Sequence, residues 1–147
     1  MSQLYDMRDA LKAAIIAANI GWVDETILIK RQGSLWNNVA TAISNAKHGA
    51  ILHIGVAAGE SADDESLEME ITLPLTILCK PQVSKDATPE EDLWEALVTK
   101  VHDLRLNSGD AFIYRFRFQS FTDIDIAADG GTSYLGRQTI FKRRLSL

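Results

Sequence analysis

From Leu67 to Cys79 the chain reads LEMEITLPLTILC, with Leu67, Met69, Ile71, Leu73, Leu75, Ile77 and Cys79 on one side and Glu68, Glu70, Thr72, Pro74 and Thr76 on the other. Alternation of this length is the pattern of a β-strand, whose successive side chains point to opposite faces. One face of the strand is therefore expected in a core, and its register is fixed by that burial. Pro74 has no amide hydrogen to give to a neighbouring strand. Its place is expected at a sheet edge, or at a bulge.

The segments on either side supply what could cover such a strand. Leu4, Met7, Leu11, Ala14, Ile15 and Ala18 recur at spacings of three and four, which predicts an amphipathic helix ended by Asn19 and Gly21. Thr26 to Gln32 is short and β-branched and predicts a strand, and the stripe Leu35, Val39, Ala42, Ile43, Ala46 predicts a shorter helix after Gly33. The apolar run Ala50 to Ala58 predicts a strand covered on both faces, followed by an acidic loop, GESADDES. Thr88, Pro89 and Glu91 form a helix-start signature, with Leu93, Trp94, Leu97, Val98, Val101 and Leu104 as the buried stripe behind it. Two strands separated by AADGGTS then make a C-terminal β-hairpin. With no internal repeat and no dividing linker, residues 1–147 are expected to form a single α+β domain: a mixed, mostly antiparallel sheet with two main helices packed on one face.

Composition limits what such a domain can do. A balance of 46% hydrophobic and 24% charged residues belongs to a globular protein, and a net charge of -5 works against non-specific attraction to nucleic acid. The single cysteine, Cys79, excludes an internal disulfide and suits a reducing compartment. The N-terminus lacks a basic region before an apolar run, so no signal peptide is expected, and no apolar run is long enough to span a membrane.

Motifs of chemistry are sparse. The chain has no GxxxxGK[ST], GxGxxG, GxSxG or HExxH. His48 and His53 stand on different elements, and His102 falls late in a helix, where a capping or surface role is expected. Asp123, Asp125 and Asp129 imitate the start of a calcium loop, but Ala128 and Tyr134 hold the positions where such a loop needs Gly and Glu; a turn is expected. Asp63-Asp64-Glu65 reads as a solvated loop, Cys79 as a buried inert thiol, and Trp22, Trp36 and Trp94 as core. No catalytic residue, metal or cofactor is expected.

FIYRFRFQSF, Phe112 to Phe121, alternates aromatic and basic residues. A sheet that stacks RNA bases would place glycine or alanine between its rings, and this stretch has neither, so specific nucleic-acid binding is not expected. The rings Phe112, Tyr114, Phe116 and Phe118 are expected in a core or subunit interface, with Arg115 and Arg117 on the other face. Glu68 and Glu70 share that two-residue spacing, which makes Arg115 and Arg117 candidates for cross-strand or intersubunit ion pairs with them. Lys142, Arg143 and Arg144, with Arg115, Arg117 and Arg137, are the remaining candidates for a basic face.

In the order of its elements, the long strand LEMEITLPLTILCKP, the helix EEDLWEALVTKVHDL and the closing GRQTIFKRRL, nearly the whole chain resembles the tail-terminator, or tail-completion, proteins of long-tailed bacteriophages and related prophages. The resemblance implies a non-enzymatic subunit of a ring, most often a hexamer. Such a ring stops growth of the tail tube at its head-proximal end and presents a surface to the head connector. Its implied partners are further copies of itself, the tail tube protein and the head-tail connector protein. Its implied places are the bacterial host cytoplasm during assembly and the virion tail. A small-ligand or enzymatic α+β domain is the first alternative, and would need a concave pocket with converging polar groups; a nucleic-acid-binding module is the second, and would need a contiguous basic face.

Overall fold

The structure, a computed structural model, describes residues 3–29, 43, 46, 49–55, 57–63, 65–79, 90–107, 114–127 and 133–147. Helix α1 (Gln3–Ala17) is followed by a 3₁₀ turn (Asp24–Thr26) and by strands β1 (Ile27–Ile29), β2 (Ala50–Ile54), β3 (Ala58–Ser61) and β4 (Glu68–Cys79). Helix α2 (Glu90–Val101) and the long strands β5 (Arg117–Ala127) and β6 (Ser133–Ser146) complete the order. Of the expected helix after Gly33 only Ile43, helical and buried, and Ala46 are described; the rest of it, Trp36, the Thr88-Pro89 helix start and the Gly-rich turn fall outside the described residues.

One six-stranded sheet runs β1-β2-β4-β6-β5, with β3 alongside β4 beyond β2. Only β1 and β2 are parallel; the other pairs are antiparallel. The architecture is thus α+β, with a mixed, mostly antiparallel sheet and a C-terminal hairpin. Both helices lie on one face. Met7, Leu11 and Ile15 of α1 and Leu93, Leu97 and Val101 of α2 form one cluster with Ile71, Leu73, Leu75, Ile77 and Cys79 of β4 and with Phe141. The helical spacing of three and four meets the strand spacing of two, so each element buries the side its sequence marks apolar. Helix α1 stops where Asn19, at φ 54°, and Gly21, at φ 107°, take left-handed backbone.

Four expectations change. Strand β4 is interior rather than an edge, flanked by β2 and β3 on one side and β6 on the other. Pro74 is accommodated because its missing amide falls on the β2–β3 side, where the ladder breaks: Gly55 N–H donates to Pro74 O at 2.9 Å. Between Ile54↔Leu75 and Ala58↔Thr72, residues 55, 56 and 57 stand against only 74 and 73, one extra residue. This is the offset of a β-bulge, placed in the partner strand. The apolar run from Ala50 is accordingly two strands, and Gly59 to Ser61 of the acidic loop belong to β3, paired with Met69 to Ile71.

The fourth change is in FIYRFRFQSF. Strand β5 begins only at Arg117; Tyr114 and Phe116 precede it, and Phe112 lies outside the described residues. Phe116 is fully buried, while Tyr114 and Phe118 are half-buried. Phe118 pairs with Phe141 and Ser120 with Ile140, so Gln119 is left without a partner on β6. That slip moves Phe121 onto the helix side with Phe118.

Candidate functional site

The four residues marked by charge and spacing take part in three separate contacts. Arg117 and Glu70 approach to 3.5 Å, although their strands are not neighbours, because β6 lies between them and adds Lys142, also 3.5 Å from Glu70. Arg115 pairs with Asp103 at 2.9 Å, beyond the end of α2 and away from β4. Glu68 accepts a hydrogen bond from the Tyr114 hydroxyl at 3.2 Å. Desolvation, helped by that bond to a carboxylate, raises the Tyr114 pKa above its ordinary value. Each of these groups is partly exposed, and ion pairs of this kind contribute little to stability.

The basic candidates do not form one face. Arg117 and Lys142 gather on Glu70 on the side away from the helices. Arg137 and Arg143 lie on the helix side, in phase with Phe141. Arg143, only 7% exposed, is stacked against Phe116 and Tyr114 at 5.6 and 5.9 Å.

The densest polar-aromatic constellation lies around Arg137. Its Nε donates to Asp123 Oδ1 at 2.6 Å and Nη2 to Oδ2 at 3.2 Å, a two-pronged pair across β5 and β6. Glu91 on α2 stands 3.6 Å from Nη2. The guanidinium carbon lies 4.9 Å from the Trp94 ring centre and 5.0 Å from that of Phe121. Those rings are 4.8 Å apart, and the Trp94 indole N–H donates to the Thr139 hydroxyl at 2.8 Å. The Arg137 hydrogen bond holds the Asp123 carboxyl below the usual carboxylate range.

Beside this cluster opens a pocket of about 220 Å³, with Ile77, Cys79 and Leu135 among its apolar walls and Glu91, Asp123 and Arg137 as its charged groups. Cys79 is buried, its thiol 3.7 Å from Leu135 O. Asp123 serves Arg137, and no group of three or more His, Cys, Asp or Glu fit to hold a metal occurs among the described residues. His102 accepts the Phe118 N–H on Nδ1 at 3.1 Å. Trp94 and Arg137 were marked in the sequence only as a core residue and a basic candidate. The usable signal was phase: Arg137 is a charge in step with the apolar positions Leu135, Phe141 and Leu145.

The other distinctive surface is a strand edge. Gln119, Ser120, Phe121, Thr122 and Asp123 of β5 are exposed in succession, on both faces, and Phe121 shows 46% of its surface to solvent. No described strand pairs with the outer side of β5. At the opposite end of the sheet, β1 pairs only with β2 among the described residues. No helix among the described residues is long and apolar enough to cross a membrane. Neither a scan against models of protein families nor a search of curated proteins found a match to this chain.

Proposed function

We propose that this protein is a structural subunit of the tail-terminator kind, which assembles into a ring, caps a phage or prophage tail tube and joins it to the head connector. The supporting observation is that, among the described residues, no strand pairs with the outer side of either end strand, β1 or β5, and the two ends are unlike. A closed ring of identical subunits requires a heterologous contact, in which one patch meets a different patch on the next copy. Two non-equivalent edges on one sheet meet that requirement, and the backbone groups along a sheet edge are a ready template for pairing with another chain.

Native mass spectrometry and negative-stain imaging of the purified protein test this reading, with added tail tube protein as the functional arm. The expected results are one closed ring species, six copies being the implied number, and tubes whose growth stops when the ring is added. A strict monomer that leaves tube length unchanged overturns it. A second reading, a small-ligand domain, draws on the pocket beside Arg137. A ligand screen read by thermal shift tests that reading, and a hit abolished by Arg137→Met would favour it.

A further inference from the structure

The direction in which each β5 residue turns its backbone follows from one hydrogen bond and the registers. Gly55 N–H reaches Pro74 O, so even-numbered β4 residues near Pro74 turn their peptide groups towards β2 and β3, and odd-numbered ones towards β6. Leu73, Leu75 and Ile77 therefore bond with Phe141, Thr139 and Arg137, which leaves Gln138 and Ile140 turned towards β5. Their β5 partners are Thr122 and Ser120. By alternation, Phe121 and Asp123 present N–H and C=O to the open side. The same rule applied before the bulge turns Phe118 outward, and Phe118 N–H is indeed taken by His102 from that side. Phe116, outward as well, exchanges bonds with Asp103 and Leu104 at 2.8 and 2.9 Å. The turn after α2 thus closes the start of this edge, and from Phe121 onward no described strand pairs with it.

We infer that the open edge from Phe121 onward receives the β1 edge of a second copy in antiparallel register, so that the sheet continues from one subunit to the next. This rests on the ring reading and names the contact within it. Following the pair senses across the sheet, β1 and β2 run one way, β4 the other, β6 back and β5 forward again. Subunits repeated head to tail then set β1 against β5 in opposite directions, the commoner pairing. The partners suit each other on the helix side: Ile29 on β1 is a half-buried apolar residue, and Phe121 is the half-exposed ring on β5.

Phe121→Pro removes one outward amide without cutting the ladder to β6, and Phe121→Ala controls for the lost ring. The expected result is ring for the wild type and for Phe121→Ala, and loss of the ring for Phe121→Pro with its circular dichroism unchanged. If the proline variant unfolds, hydrogen exchange of the wild type decides. The amides of Phe121 and Asp123 should exchange at least tenfold more slowly in the ring than in dissociated subunits, while Thr122, already bonded to β6, changes little. A ring whose Phe121 and Asp123 amides exchange as in free subunits, or a proline variant that assembles like the wild type, overturns the pairing and leaves the ring reading intact. A wild-type chain that is monomeric up to millimolar concentration overturns both.

Discussion

Trp94→Phe is the most direct test of the bond that fastens α2 to the sheet. The indole N–H donates at 2.8 Å to the hydroxyl of Thr139, a side chain with no exposed surface. Phenylalanine keeps a ring against Phe121 and Phe118, whose centres lie 4.8 and 6.4 Å from that of Trp94. The loss is then mainly that of the donor. A net hydrogen bond is worth about 1 kcal/mol, and a buried hydroxyl left without its donor raises the cost to about 2–3 kcal/mol. For a chain of this size, each kcal/mol moves the melting temperature by roughly 2–4 °C, so a fall of about 5–10 °C is expected in calorimetry or a circular-dichroism melt. The control is Thr139→Val, alone and combined with Trp94→Phe. If the bond carries the effect, the double variant loses about 1 kcal/mol less than the sum of the singles. Additivity within about 0.5 kcal/mol would refute the bond as the source, and point to ring shape instead.

Two further outcomes follow from close contacts. A Cβ at Gly55 would stand 2.8 Å from Pro74 Cγ and 3.2 Å from Pro74 O, so Gly55→Ala should destabilise by about 1–3 kcal/mol in urea unfolding. Adding Pro74→Ala should recover part of that loss, since one of the two clashing groups is the proline ring. Asp123 has a folded-state pKa below its unfolded value, because Arg137 bonds its ionised form. Its contribution is therefore full above the unfolded carboxylate value of about 3.9 and is lost as pH falls below it towards the folded pKa. Melts of wild type and Asp123→Asn should differ at pH 6, and the difference should shrink as pH falls below about 3.9; a constant difference would contradict the assignment.

Much of the fold was legible because the burial pattern and the element period agree. Leu67 to Cys79 alternates so regularly that strand and buried face could both be read from it, and the stripe from Leu93 to Val101 marked α2 in the same way. Position in the sheet was not legible. Pro74 argued for an edge because the sequence reports a missing donor and is silent on which side that donor would have faced. The Glu70–Arg117 approach was anticipated from matching spacings, but Lys142 on the intervening strand could not be, because strand order is a long-range choice. Arg115 went to Asp103 for a local reason, since the chain turns there before β5 begins.

Sequence alone determined which residues are apolar in which period, and hence α1, α2 and β4 and the side that each buries. The tertiary structure decided the rest through one extra residue at two places. Between Ile54 and Ala58 it lets a proline lie inside the sheet, and at Gln119 it carries Phe121 to the helix side beside Trp94 and Arg137. A period of two reverses every side chain when it slips by one, and where it slips depends on the partner strand, which the local sequence does not contain.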